Sequence, residues 1–324
     1  MQNGRLEKTT VVGAGLMGAQ IGLVLALGSE ETVLWGRRDE SLERARANLK
    51  RYAGDLERHD QLMGQSAEDV LGRIRFVKDL GEAVAEAGFV LESIVEDLEI
   101  KQGFYKEVDG LVPEGVPIAS NTSGLPITKL ARDAKRQDRI AGSHFVQPGH
   151  IVPVVEVIKG ERTSEETIER TCEVWRTLGR RPLVVEKDVP GFLVNRLQHA
   201  MIREAVNLLD SGVASAQDID LAVQLGLAPR FTTAGPLEQR DINGMRMHVR
   251  VASHLWKTLD GWEDAVENVK RRVERGEVGL DAGKGYYDWS GRDATDVRAM
   301  KDEQLITRTA EVVKSIDFPP AGTP

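Results

Sequence analysis

The chain has 324 residues, 41% hydrophobic and 29% charged, the balance of a folded globular protein and not of a disordered one. A formal charge of −8 argues against sequence-independent nucleic-acid binding, and the single cysteine, Cys172, excludes an intrachain disulfide and a Cys-rich zinc site. With no apolar run near the roughly 20 residues of a membrane span, and a start (MQNGRLEKTT) too polar for a secretory signal, a cytoplasmic, metal-free protein with no nucleic-acid or membrane partner is expected.

Short apolar runs at residues 10–12, 32–35, 89–91, 116–119, 140–141, 154–158 and 183–185 predict strands. Helical patterns at 17–27, 41–52, 99–108 and 165–178 lie between several of them. Strands alternating with helices predict βαβ units in a mainly parallel sheet. The polar stretch 55–73 interrupts the rhythm; Ser66 followed by Asp69 resembles a capping box, so a helical hairpin is expected there. After Val185 the segment Asp188-Val189-Pro190-Gly191 punctuates the chain, and only helical patterns follow. They run over 192–209, from the Ser215/Asp218 start to Leu225, and over 245–259, 262–275 and 295–313. The expected architecture is a Rossmann-like α/β domain with a mostly parallel sheet over residues 1–187, then an all-helical domain over 188–324. Only the PPAGTP end reads as disordered.

The first strand runs into Gly13-Ala14-Gly15-Leu16-Met17-Gly18, a G-x-G-x-x-G turn opening a helix. Gly13 permits the tight turn, Gly15 a close approach to a pyrophosphate, and Gly18 close helix–sheet packing, while the helix start at Leu16 and Met17 offers unpaired N–H groups. This is the signature of dinucleotide binding; the bland alternative is an ordinary βα turn. At the end of the second strand Gly36 stands where an NAD site usually carries an acid for the ribose hydroxyl, and Arg37 and Arg38 follow. A guanidinium suits a 2′-phosphate, so Arg37 tilts the expectation from NAD towards NADP; the alternative is solvated charge ahead of a helix.

Of six histidines, His144 alone closes a strand of the parallel sheet, where catalytic groups gather. Glu156 lies inside the apolar run Val154-Val155-Glu156-Val157-Ile158, a costly position unless paired, and His144 is the simplest partner. The two predict an acid–base pair, with a structural salt bridge as the alternative.

In order along the chain come Gly13–Gly18, Glu92-Ser93-Ile94-Val95-Glu96-Asp97-Leu98-Glu99-Ile100-Lys101, Ser120-Asn121-Thr122-Ser123, Gly142–Pro148 with Glu156-Val157-Ile158, Pro190–Arg196, Gly235–Glu238 and Gly283–Tyr287. Together they resemble the L-3-hydroxyacyl-CoA dehydrogenase family, with its lambda-crystallin/L-gulonate and carnitine dehydrogenase relatives, over nearly the whole chain. The resemblance implies hydride transfer at a secondary alcohol β to a carboxylate or thioester, and a place in fatty-acid metabolism. It further implies that His144 moves the hydroxyl proton and Glu156 holds its ring. Ser123 would contact substrate oxygen and nicotinamide, and Asn195 would help fix the substrate. Glu96, Lys101 and Asn121 would meet the cofactor. Local structural roles are the alternatives: a helix cap for Ser123, a backbone bond for Asn195, solvated charges for Glu96 and Lys101.

Two departures bear on the substrate. The family commonly reads H-F-F-N-P where this chain has His144-Phe145-Val146-Gln147-Pro148, so Gln147 displaces an amide. Arg240, with Arg230 nearby, brings cations where many acyl-CoA enzymes are apolar, which suits a small carboxylate. Either an acyl-CoA or a free 3-hydroxy acid is therefore compatible, with Arg58 and Arg73 of the 55–73 hairpin as candidate phosphate contacts. A non-catalytic dinucleotide-binding structural protein is the reading from another class, and it expects a damaged His/Glu pair. The β-hydroxyacid dehydrogenases, which use lysine, fit less well: Phe192-Leu193-Val194-Asn195 has no lysine one turn before its asparagine. Long apolar helical faces predict a homodimer through the second domain, with substrate between the two halves.

Overall fold

The computed structural model describes residues 6–259 and 265–315. The PPAGTP end, and Trp262 where a helix is expected to begin, lie outside the described residues. The chain divides into two compact units, Met1–Arg196 and Leu197–Pro324.

The first unit contains β1 (Leu6–Val12), α1 (Leu16–Ala26), β2 (Ser29–Trp35), α2 (Asp39–Arg58), α3 (Ala67–Leu71), β3 (Ile74–Val77), α4 (Leu80–Val84) and β4 (Phe89–Glu92). There follow α5 (Leu98–Val108), β5 (Ile118–Ser120), α6 (Ile127–Leu130), β6 (Ile140–Phe145), β7 (Val154–Ile158), α7 (Glu165–Thr177) and β8 (Arg181–Val185). One eight-stranded sheet has the order β3-β2-β1-β4-β5-β6-β7-β8. The first six strands are mutually parallel; β7 runs antiparallel to β6, and β8 parallel to β7. Strand order reverses between β1 and β4, the switch point outside whose carboxyl ends ligands bind in open α/β sheets.

Central strands are apolar on both faces because helices cover both: Val11, Val12, Val90 and Leu91 are fully buried. α1 is buried all round from Gly18 to Ala26, whereas α2 buries one stripe, Leu42, Ala45, Leu49, Tyr52, Ala53 and Leu56, at helical spacing.

Two local expectations need correction. β3 was not among the seven expected strands: Ile74-Arg75-Phe76-Val77 is a four-residue run interrupted by a charge, and it forms the sheet edge, where Arg75 is satisfied by Glu31 at 2.9 Å and Glu82 at 2.7 Å. The expected hairpin over 55–73 is reduced to the end of α2 and one turn of α3. The cap itself forms, Ser66 Oγ accepting from the Asp69 N–H at 3.1 Å.

α8 (Val194–Asp210) leads into the second unit, followed by α9 (Ala216–Leu221), a π-helical stretch Ala222–Leu227, α10 (Ala228–Phe231), α11 (Glu238–Asn243), α12 (Met245–Leu255), α13 (Ala265–Glu274) and α14 (Ala294–Ser315). Strand pairing among its described residues is confined to isolated bridges of Lys284 with Gly279 and Asp288. Its buried apolar side chains, among the described residues, are Val206, Ala234 and Ile306.

Candidate active site

Steric facts at the turn after β1 match the three glycines to a dinucleotide cradle. Gly13 has φ +123°, and a Cβ there would lie 2.3 Å from the Ser93 carbonyl oxygen beyond β4. A Cβ on Gly18 would lie 1.8 Å from the Gly13 carbonyl, so helix and loop touch backbone to backbone. Around Gly15, by contrast, a Cβ would meet nothing within 4 Å. Gly15 is also the N-cap of α1 and supplies no side-chain cap, so the first-turn N–H groups lack side-chain acceptors. Open space above Gly15, bounded by uncapped N–H groups at Leu16 and Met17, fits a pyrophosphate.

At the end of β2 a Cβ on Gly36 would come 2.9 Å from Ala14 Cβ and 2.7 Å from Leu42 Cδ2. An acid has no room there. The next carboxylate, Asp39, pairs with Lys78 at 3.1 Å, and Arg37 is exposed with its guanidinium 6.0 Å from the Trp35 ring.

The β6–β7 register sets His144 directly across from Glu156. His144 Nδ1 and Glu156 Oε2 are 2.7 Å apart, with the carboxylate fully buried. Glu156 Oε1 accepts from the backbone N–H groups of Leu193 at 2.7 Å and Val194 at 2.9 Å. Burial alone would raise the Glu156 pKa; the His144 hydrogen bond and the two N–H donors outweigh it and hold the carboxyl below its usual range. A carboxylate at Nδ1 assigns the neutral ring's proton there and leaves Nε2 as the unprotonated nitrogen.

A second cluster forms where β4 and β5 end. Glu96 Oε1 accepts from Thr122 Oγ1 at 2.7 Å, the Ser123 N–H at 2.7 Å and Ser123 Oγ at 3.1 Å. Burial raises the Glu96 pKa, but the Thr122 hydroxyl, the Lys101 charge and the Ser123 N–H outweigh it and lower the net value. Lys101 Nζ lies 3.3 Å from Glu96 and 2.5 Å from Glu92, its side chain 1% exposed. Asn195 Nδ2 donates to the Ser123 carbonyl at 3.0 Å. Asn121 Oδ1 accepts from the Phe145 N–H at 2.9 Å, next to His144. Residues 193–195 thus bind both clusters, Leu193 and Val194 at Glu156 and Asn195 at Ser123.

Lys101 is therefore not a solvated charge: its ammonium is buried between Glu92 and Glu96. Ser123 is not a helix cap; α6 starts after Pro126 without a side-chain cap. Gln147 is exposed, and its peptide bond to Pro148 is cis. In the second unit Arg230 is exposed, and Arg240 donates to Gln239 at 2.8 Å, not to Asp241 or Glu238. Arg58 is engaged by Asp55, and Arg73 by the Ala26 carbonyl and Gln65, so both candidate phosphate contacts have internal partners. Glu92 escaped the sequence reading. Its signal was the one that singled out Glu156, an acid in an apolar strand, here at the end of Phe89-Val90-Leu91-Glu92.

Residues 8–189 match the NAD binding domain of 3-hydroxyacyl-CoA dehydrogenase, and residues 191–289 match its C-terminal domain. The chain belongs to the 3-hydroxyacyl-CoA dehydrogenase family. It is an NAD-dependent oxidoreductase acting on a CH–OH group. Among the family's curated members, the 5-formyl-3-hydroxy-2-methylpyridine 4-carboxylate 5-dehydrogenase of Mesorhizobium japonicum is 32% identical over 301 residues, 93% of this chain and 96% of that one. A crystal structure of such a dehydrogenase, described as an NAD+ dependent dismutase, superimposes with TM-score 0.88 at 31% identity over 95% of this chain and 99% of that one. The (S)-3-hydroxybutyryl-CoA dehydrogenase of Ralstonia eutropha gives TM-score 0.71 at 31% identity over 88% and 99%.

Proposed function

We propose that the chain oxidises, and in reverse reduces, a 3-hydroxyacyl-type substrate, with His144 and Glu156 as its acid–base machinery. The observation that carries this reading is the buried His144–Glu156 contact of 2.7 Å, whose outer carboxylate oxygen is held by two backbone N–H groups. When the substrate hydroxyl gives up its proton, Nε2 takes it, and Glu156 stabilises the imidazolium across Nδ1–H; reduction runs the proton back. Ser123, held by Glu96, and Asn195, held on the Ser123 carbonyl, orient the substrate oxygen. The bound nicotinamide supplies two-electron acceptance from the carbinol carbon. An intact pair also speaks against a purely structural protein.

Gly13, Gly15, Gly18 and the α1 N-terminus hold the pyrophosphate in this reading. The absence of space for an acid at Gly36, with Arg37 free of carboxylate partners among the described residues, supports acceptance of a 2′-phosphate, so NADP is used at least as well as NAD. Exposed apolar side chains on a unit with three buried ones among its described residues support a homodimer through the helical domain. The composition supports a cytoplasmic location.

A second reading, a free carboxylate-bearing alcohol without CoA, is favoured by two observations. Arg58 and Arg73 are spent internally. The pyridine-carboxylate dehydrogenase also superimposes more closely, at 0.88 against 0.71. Turnover of acetoacetyl-CoA, acetoacetate and a hydroxymethyl-pyridine carboxylate, each with the reduced or oxidised form of NAD and NADP, separates the readings. Activity on acetoacetyl-CoA supports the first, activity confined to free carboxylates replaces it with the second, and a clear preference for NAD removes the role given to Arg37.

A further inference from the structure

Behind the Ser123–Glu96 cluster lies a carboxylate to which the proposed chemistry gives no role. Glu92 ends β4 fully buried, and every lone-pair direction of its carboxylate is taken. Oε1 accepts from the Ile94 N–H at 2.8 Å and from Lys101 Nζ at 2.5 Å. Oε2 accepts from Ser120 Oγ at 2.7 Å and Tyr105 OH at 3.3 Å. Ser120 Oγ in turn accepts from the Thr122 N–H at 3.2 Å. Lys101 is an ammonium on a long flexible stem, buried on α5 between two carboxylates of unequal exposure: Glu92 is closed off and Glu96 faces outward with 40% of its side chain exposed.

We infer that Glu92 is a positioning residue for the reaction: it anchors Lys101, Lys101 holds Glu96, and Glu96 fixes the Ser123 hydroxyl and N–H. The direction follows from the burial of the two carboxylates. Glu92 is fully buried and takes four donors while the Glu96 side chain is 40% exposed, so Lys101 is placed from the buried side and restrains the more mobile Glu96. Without that restraint Glu96 is held only through Oε1, by the Thr122 and Ser123 donors it is meant to orient, and the carboxylate and those donors shift together. The Ser123 hydroxyl then keeps an acceptor that is no longer fixed in place. Because Ser123 Oγ donates to Glu96, its lone pairs remain for ligand donors; an untethered Ser123 turns its proton towards the ligand and no longer presents one orientation.

This inference rests on the dehydrogenase reading, and the test keeps the two apart. Glu92→Gln and Lys101→Met each leave the partner buried and unpaired, so both lose stability as well as function. The variant that decides is Glu92→Gln/Lys101→Met, which removes both charges together, a change that is often neutral for a buried pair. The measurements are the thermal midpoint, the NADH dissociation constant by fluorescence titration, and kcat on whichever substrate the wild type turns over. The expected result is a midpoint restored to near the wild-type value, with kcat still reduced tenfold or more and NADH binding weakened several-fold. Recovery of kcat and NADH affinity together with the midpoint overturns the proposal, since the pair is then only a packing element; a double variant that does not fold overturns it equally. Failure of the dehydrogenase reading looks different: the wild type itself shows no turnover.

Discussion

Three glycines within six residues do unlike work, and the difference is a matter of which atoms a methyl group would meet. At Gly18 the added carbon lands 1.8 Å from a backbone carbonyl, a contact that only main-chain movement relieves. At Gly15 it meets open space, the volume assigned to a pyrophosphate. Gly15→Val is accordingly expected to keep the wild-type thermal midpoint within about 2 °C while abolishing NADH binding, because the change is sterically free only in the empty protein. Gly18→Val is expected to lower the midpoint or prevent folding. Calorimetry and fluorescence titration on the two variants check this, and equal effects would contradict it. The glycines, His144 and Glu156 were legible because each is an odd residue for its place: a clustered turn, a strand-end imidazole, an acid among valines. Glu92 was equally odd, but its partner Lys101 lies on a helix with other charges, and only the packing of α5 on the sheet shows that this one turns inward. The backbone donors of Leu193 and Val194 carry no side-chain signature at all.

The β6–β7 hairpin does two jobs, and the second concerns stability. Its loop buries His150 against Tyr52, ring centroids 4.3 Å apart, with Nδ1 lacking a protein partner. Burial, then the charges of Arg180 and Arg51, push the imidazole down to about 3 from 6.5. Protonation at this site therefore belongs to the unfolded chain. The stability it contributes is complete above pH 6.5 and is lost as pH falls from there towards 3, at about 1.4 kcal/mol per unit. Between pH 7 and pH 5 the loss from this group is about 2 kcal/mol. His150→Phe keeps the ring contact and removes the titration, so urea unfolding at the two pH values is expected to show a smaller drop for the variant by about that amount. An equal drop in both proteins would mean that His150 titrates normally. At this scale the hydrophobic period located most strands and helices. It missed β3, because an edge strand with a paired arginine has neither a continuous apolar run nor buried alternation. It overextended the 55–73 hairpin, because Gly54 and Asp55 look like a break while the buried stripe continues to Leu56.

Taken whole, the molecule is uneven in how it is held together. The sheet unit carries nearly all the buried apolar side chains among the described residues, while α12 of the helical unit leaves Met247 63% and Val249 63% exposed, and Trp256 just after it 64%. In the proposed homodimer a second copy covers this surface. Sedimentation velocity is expected to give twice 35.7 kDa for the wild type and a lower mass for Trp256→Glu; a wild-type monomer at micromolar concentration would contradict the dimer. The sequence pattern foresaw helices with apolar faces here, but periodicity cannot say whether such a face is covered by its own chain or by another. The order of motifs along the chain was the better guide at this scale, since it fixed family membership, which no single motif does.

The central claim is that a carboxylate-held imidazole moves the proton while a separate glycine cradle holds the cofactor. His144→Gln tests it most directly, with turnover and NADH affinity measured on the same preparation. The expected outcome is a fall in kcat of about 1,000-fold or more with the NADH dissociation constant changed by less than about threefold, as for removal of a general base outside the binding energy of the cofactor. Turnover retained within tenfold, or NADH binding lost together with it, would contradict the account.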